Sequence, residues 1–192
     1  MRVCVYGITI GLALLSCGCG AMWRETVWKN AVANQAAQLG YRNWIVVAEA
    51  SFPAQNRRGT HQITADVEIP EALDYVLATL EQTQRVRPQM YLTREVRSVE
   101  NDFAPGIDQY RKQMIAALHG HEATELDQQS LMTLLEDANR SFDVLVVRTA
   151  TALPYTTVFI ELQPGYWDAE SETRLRERIS RERMERLAHP GH

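Results

Sequence analysis

The chain has 192 residues, of which 45% are hydrophobic and 23% are charged, and its formal net charge is −4. These values are typical of one globular domain with its own core, and they exclude a disordered or fibrous chain. The negative net charge, with no Lys/Arg patch interleaved with aromatic residues in the central region, argues against nucleic acid as a partner.

The first residues are typical of an export signal. Arg2 supplies a positive charge, and residues 3–15 form an apolar run too short to span a bilayer as a stable helix. "LLSCGCG" follows and resembles a bacterial lipobox with Cys17 as the lipid acceptor. We therefore expect a signal peptide (1–16), a tether (17–27) and a lipid-anchored protein of the cell envelope facing the periplasm. An ordinary secreted protein is the alternative.

Apolar residues at helical spacing predict four helices between residues 28 and 167, the range expected for the domain. The residues that define them are Val32, Ala36 and Leu39 before a capping Gly40; Leu73, Val76, Leu77 and Leu80 after Pro70; Ile107, Tyr110, Met114 and Leu118; and Leu131, Leu134, Leu135, Ala138 and Phe142 after a capping Asp127.

Apolar and β-branched runs predict the strands between these helices. They cover residues 44–50, 61–65, 90–92, 143–149 and 156–162, and the first has the continuous apolar character of a strand covered on both faces. Residues 52–59 read as a loop. Alternating helices and buried strands favour a three-layer α/β fold, with a mainly parallel sheet and helices on both faces.

The C-terminal residues 168–192 change to Arg and Glu at helical spacing, which predicts a solvated charged helix. An oligomer contact is the alternative, and its apolar anchors would be Leu175, Ile179, Met184 and Leu187.

Several catalytic and cofactor motifs are absent from the sequence. It has no phosphate-binding loop, no dinucleotide turn and no nucleophile elbow, so we expect no cofactor. In "LHGHE", His119 and His121 stand beside Glu122, but they follow a predicted helix in a turn that contains glycine. An exposed loop is favoured there over a metal site, and no metal is expected.

Glu49 stands where the first predicted strand ends, and ligands of parallel α/β sheets bind beyond the carboxyl ends of the strands. Phe52 adds an aromatic face nearby, a combination suited to a sugar ring. Tyr155, just before the last strand, offers a second such place. The structural alternative is that Glu49 pairs with an arginine and that Tyr155 is a packing residue.

Three segments together resemble the ribose pyranase and fucose mutarotase (RbsD/FucU-like) family. They are "LGYRNWIVVAEASFPAQ", "PEALDYVLATL" and "LLEDANRSFDVLVVRTATALPYTTVFIEL", in the family's order, and the resemblance covers most of residues 39–162. It implies that family's fold, a cofactor-free exchange between forms of a monosaccharide, and a ring of identical subunits. Family members use a histidine for proton transfer, an aspartate that orients it, and a tyrosine and an asparagine in the pocket.

This chain departs from the family pattern at those positions. Tyr41 stands at the histidine, Glu49 at the aspartate and Thr157 at the asparagine, while Tyr155 is retained. A phenol is a poor proton acceptor at neutral pH. His61, after the loop, is the candidate to replace the lost imidazole.

Two hypotheses follow from the resemblance. The first is a monosaccharide- or polyol-binding module with weakened or lost catalysis, with Tyr41, Phe52, His61 and Thr157 around the ligand. The second is an active mutarotase in which Glu49 is the base and Tyr155 or Tyr41 the acid. A structural envelope protein with a vestigial pocket is a third interpretation.

Overall fold

A computed structural model describes residues 18–188, which contain six strands, five α-helices and one 3-10 turn. The elements are α1 (Gly18–Ala36), β1 (Trp44–Ala48), β2 (Thr60–Thr64), α2 (Ile69–Glu81), β3 (Val86–Thr93), the turn η1 (Arg94–Arg97), α3 (Ile107–Ala117), β4 (Ala123–Leu126), α4 (Gln128–Ala138), β5 (Val144–Arg148), β6 (Val158–Pro164) and α5 (Ala169–Ala188).

The six strands form one sheet in the order β2-β5-β1-β6-β3-β4. β1 is parallel to β5 and antiparallel to β6, and β6 is also antiparallel to β3. Only β6 among these six strands therefore runs opposite to the rest, which confirms the prediction of a mainly parallel sheet.

Alternate residues of β1 face two different helical layers, as expected for a central strand whose five residues are all buried. Ile45 and Val47 pack in the core formed with α1, α2 and α3. Trp44 and Val46 pack on the other face against Leu131 of α4. The prediction of a three-layer α/β fold is confirmed.

Two of the predicted helices show why the sequence patterns work. In α2, Leu73, Val76, Leu77 and Leu80 are all at most 1% exposed, and Pro70 lies in the first turn, where its missing N–H costs no helical bond. At the start of α4, the Asp127 carboxylate accepts a hydrogen bond from the Ser130 N–H at 2.8 Å, as predicted for a cap.

The first helix differs from its prediction at both ends. α1 begins at Gly18, so the residues expected to form a tether are helical from that point, and it ends at Ala36. Gly40 is therefore not its cap. The Gly40 N–H instead donates to Asn43 Oδ1 at 2.8 Å, in the turn that leads into β1.

The strand pair β3 and β4 was only partly predicted. β4 was missed because its four residues lie at the sheet edge without a fully buried position, so its sequence resembles a loop. β3 is longer than predicted and includes Pro88. β4 pairs with β3 only from Met90 onward, so Pro88 has a strand neighbour on one side alone, a position that tolerates proline.

The C-terminal helix α5 contains no buried residue and carries ion pairs along its own surface, including Arg176 with Glu172 at 2.6 Å. No helix within residues 18–188 is both long and apolar enough to cross a membrane. Cys17, the expected lipid acceptor, lies outside the described residues. Lipidation, envelope location and homo-oligomerisation all stay predictions.

Candidate functional site

The candidate site lies at the end of the sheet where the central strands β1 and β3 finish and β6 begins. Because β6 is antiparallel and lies between them, the residues that precede it meet the residues that end its neighbours. In the register, Val158 of β6 lies opposite both Val47 of β1 and Leu92 of β3. This arrangement brings Glu49 and Thr93 beside residues 155–157.

Glu49 holds the turn before β6 through several hydrogen bonds. Its Oε2 accepts from the Thr156 N–H at 3.3 Å and from Thr156 Oγ1 at 3.4 Å. Its own N–H donates to Thr157 Oγ1 at 3.4 Å, and Ser51 Oγ donates to its Oε1 at 3.2 Å. No arginine of the described chain forms an ion pair with Glu49. The Glu49 carboxylate therefore holds the turn before β6 (the strand-end turn, residues 155–157) in place. The alternative prediction, that Glu49 pairs with an arginine, did not include this role.

Tyr155 lies in the same turn with a left-handed backbone, at φ 59°. This conformation is uncommon for a residue other than glycine, and such outliers occur often at functional sites. The Tyr155 carbonyl accepts a hydrogen bond from Thr93 Oγ1, which helps to hold the backbone in place. Its side chain remains 40% exposed.

Tyr110 supports this turn from α3. Its phenol is 6% exposed and donates to the Thr156 carbonyl at 2.7 Å. Burial is the main cause that raises the pKa of Tyr110 far above its ordinary value, and the nearby charge of Glu49 raises it further. Tyr110 therefore keeps its proton at neutral pH and acts as a hydrogen-bond donor.

A cavity of about 370 Å³ opens between α3, the β3–β4 pair and the strand-end turn. Its lining includes Thr93, Tyr110 and residues 155–157 together with apolar side chains of α3, β3 and β4. Its volume is at the lower end of the range for small-molecule pockets. Glu49 is absent from the lining and reaches it through its contacts with Thr156.

Two arginines of the cavity are already paired with other groups. Arg97 forms an ion pair with Glu125. The Arg111 guanidinium donates to the Val96 carbonyl at 3.0 Å from Nε and at 2.6 Å from Nη2, which anchors η1, and it also donates to the Val99 carbonyl of the segment that follows. The cavity therefore offers hydroxyl groups rather than uncommitted positive charge to a ligand.

The structure brings together only part of the predicted site. Tyr155 and Thr157 line the cavity and Glu49 adjoins it. Phe52 lies elsewhere: it is 7% exposed and packs edge-on against Phe159, with the ring centroids 6.3 Å apart. Its ring faces are therefore part of the core on the α4 side of the sheet and present no open surface to a sugar.

Tyr41 and His61 do not join the site within one chain. Tyr41 precedes β1 and Glu49 follows it, so the five residues of β1, at about 3.3 Å each, put about 16 Å between them. His61 lies opposite Leu145, which lies opposite Ile45. It is therefore about 10 Å across the sheet and about 13 Å along it from Glu49. Tyr41 was placed at the site by sequence resemblance, and His61 as the candidate to replace the family's imidazole.

The other described histidines also lie away from the strand-end turn. His119 contacts Asp74 in the middle of α2, and His121 Nε2 lies 3.6 Å from Glu81 Oε1 at the C-terminal end of that helix. Within the described residues, no three side chains of the His, Cys, Asp or Glu types form a group that could hold a metal ion.

Tyr110, Thr156 and Thr93 belong to the site but were not predicted for it. Tyr110 was assigned to the core face of α3, and it is indeed buried there. The signal that could have identified it is chemical: a buried phenol needs a hydrogen-bond partner, and the polar end of a nearby strand is a natural place for one.

This chain is similar to known proteins in its fold but not significantly in its sequence. No family model matches the chain, and no curated protein is significantly similar to it. The chain is similar to the structure of Bacillus subtilis RbsD complexed with D-ribose, at 20% identity and a TM-score of 0.47, over 68% of this chain and 89% of that one. It is also similar to the fucose mutarotase from Streptococcus pneumoniae in complex with L-fucose, at 22% identity and a TM-score of 0.44, over 67% and 87% of the two chains.

A third similar structure is FucU from Bifidobacterium longum, at 13% identity and a TM-score of 0.44, over 69% of this chain and 92% of that one. Because these identities and TM-scores are low, we infer function from the contacts of this chain itself.

Proposed function

We propose that the protein binds a small polyhydroxylated molecule, a monosaccharide or similar polyol, in the cavity beside the strand-end turn. The observation that carries the proposal is the convergence of Thr93, Tyr155, Thr156 and Thr157 on a cavity of about 370 Å³. Each hydroxyl oxygen accepts hydrogen bonds even where its proton is already donated, so the turn can receive several hydroxyl groups of one ligand.

We further propose that acid/base catalysis in this cavity is weak or lost. Opening a sugar ring requires a group that accepts a proton near neutral pH, and an imidazole is well suited to this. None of the described histidines, His61, His119 and His121, lines the cavity. His119 and His121 contact Asp74 and Glu81 of α2 instead. Tyr110, with its raised pKa, is no substitute as a base. The nearby carboxylates are also engaged: Glu125 of the lining pairs with Arg97, and the turn already uses the oxygens of Glu49.

The test is saturation-transfer NMR of the purified full chain with a panel of free aldoses and polyols, followed by exchange spectroscopy between the anomers. We expect binding without accelerated exchange. Accelerated exchange that disappears in Glu49→Gln would establish the alternative, a mutarotase in which Glu49 acts with Tyr155. Failure to bind any member of the panel would contradict the proposal and leave a vestigial pocket.

A matched pair of variants locates the ligand. Tyr155→Phe removes one hydroxyl of the cavity and should weaken binding by about 2- to 10-fold, the effect of one lost hydrogen bond of about 0.5–1.5 kcal/mol. Tyr41→Phe removes a hydroxyl from a residue that is 58% exposed and lies before β1, at the opposite end of the strands. It should leave the affinity for the ligand unchanged. The reverse result would place the ligand near Tyr41.

A further inference from the structure

The cavity has two chemically different ends. The end at the strand-end turn is lined by five residues that each carry a hydroxyl group: Thr93, Tyr110 and residues 155–157. The remainder is lined by apolar side chains and by three charged residues. The apolar side chains are Leu92 of β3, Val96 of η1, Met114 and Ile115 of α3, Leu118 at the end of α3 and Ala123 of β4, and the charged residues are Arg97, Arg111 and Glu125. A ligand that fills the cavity therefore meets hydrogen-bonding groups at one end and mainly apolar surface at the other.

The apolar part of the cavity is longer than a single side-chain contact. Tyr110 and Met114 of α3 and its C-cap residue Leu118 are spaced four residues apart on one face of the helix, so the cavity follows the helix for about 12 Å. On the sheet side, Ala123 lies opposite Met90, three residues and about 10 Å before Thr93. The two estimates agree, and both place the apolar end about two helical turns from the hydroxyl groups.

A free monosaccharide complements only one of these ends. Its hydroxyl groups surround the ring, and those directed at the carbon-lined end would lose water without gaining a partner, which is unfavourable. The charged groups of the cavity lie nearer to the strand-end turn and are committed, since Arg97 pairs with Glu125, opposite Leu92, and Arg111 donates to backbone carbonyls. The surface along α3 is matched instead by an apolar substituent attached to the polar ring.

We propose that the ligand is an amphipathic sugar derivative, a glycoside with a short alkyl or aryl substituent, whose ring contacts the strand-end turn and whose substituent lies along α3. This inference rests on the proposed function and names its ligand class. A glycoside carries its substituent in place of the anomeric hydroxyl proton. It therefore cannot open its ring by loss of that proton, and its binding requires no histidine at the site.

The experiment compares matched methyl and hexyl β-D-glycosides of glucose, galactose, mannose, ribose and fucose by isothermal titration of the full chain, with 1-hexanol and the free sugars as references. Each methylene that becomes buried should raise affinity by about fourfold, from about 0.8 kcal/mol per group. We expect a hexyl glycoside to bind at least tenfold more tightly than its methyl partner.

The possible results separate this inference from the proposed function. Equal affinities for methyl and hexyl glycosides, with clear sugar binding, would overturn the glycoside assignment and leave the sugar site intact. Binding of 1-hexanol as tightly as any hexyl glycoside, without preference among sugars, would overturn both. Absence of binding across the whole panel would also overturn both.

Variants of the apolar end complete the test. Ala123→Leu fills the apolar end of the cavity. Ile115→Glu places a charge on a lining residue that is 75% exposed, so this substitution should not prevent folding. Each should abolish the gain in affinity from the methyl to the hexyl glycoside. The control is Leu134→Glu on α4, 42% exposed and outside the cavity lining. Retention of the full gain in both cavity variants would contradict the proposal.

Discussion

At the scale of single residues, Glu49 explains why the buried strand β1 is followed by a carboxylate. Its oxygens accept hydrogen bonds from Thr156 and Ser51, and its N–H donates to Thr157. The family resemblance predicted Glu49, Tyr155 and Thr157 in one pocket together with Tyr41. The structure places the first three around one turn and puts Tyr41 beyond the other end of β1. Tyr110 was not predicted there because the apolar stripe of a helix reports burial and says nothing about what a buried hydroxyl contacts.

Tyr110→Phe should destabilise the protein through the Thr156 carbonyl. The change removes the donor at 2.7 Å and leaves a buried acceptor without it, which costs about 1–3 kcal/mol. Urea denaturation should show this loss in the free energy of unfolding. Tyr166→Phe is the control, because that side chain is 81% exposed. Equal stability of the two variants would mean that the Tyr110–Thr156 bond has no net effect.

At the scale of elements, the patterns that repeat along the chain were the most informative. The buried face of α2 was predicted from an apolar stripe of four residues: Leu73, Val76, Leu77 and Leu80. The start of α4 was predicted from its capping residue, Asp127. The edge strand β4 and the first ten residues of α1 were missed. An edge strand needs no alternation of buried and exposed residues, and a helix that begins without an apolar stripe offers no periodic signal.

The cap of α4 should make stability depend on acid pH. Hydrogen bonds from Ser130, first from its N–H, lower the pKa of the Asp127 carboxyl below its ordinary value. A lowered pKa in the folded state contributes stability that is present above the ordinary aspartate value of about 3.9 and is lost as the pH falls through the lowered value. Asp127→Ala should therefore reduce stability at pH 7, and its difference from the wild type should shrink in that acid range.

Thermal denaturation across pH checks this prediction. Asp127→Asn is the matched control, because asparagine caps helices well but does not ionise. It should keep most of the stability at pH 7 and lose the acid dependence. A difference between wild type and Asp127→Ala that stays constant down to acid pH would contradict an ionised cap.

At the scale of the whole molecule, the sheet and four of the helices form the packed unit, and α5 stands apart from it. The six strands share one sheet, and α1 to α4 bury its two faces. Every residue of α5 is at least partly exposed. The domain therefore folds around β1, while the charged helix adds surface rather than core.

Truncation after Asp168 should leave the folded domain intact. Because α5 contains no buried residue, its removal should change the urea midpoint of unfolding very little, whereas Leu73→Ala, at a site 0% exposed, should cost about 2–5 kcal/mol. Circular dichroism during urea titration compares the two variants. A large loss of stability on truncation would show that α5 packs against the domain.

The sequence by itself determined the fold class, the buried faces of the helices and the identity of β1 as a central strand, because periodicity and continuous apolar runs are local consequences of burial. Only the tertiary structure decided which polar residues share a site. The antiparallel β6 between β1 and β3 brings residues 155–157 to Glu49. Tyr41 lies before β1, at the opposite end of the strands. Distances of that kind depend on strand order and direction, which no local pattern in the chain encodes.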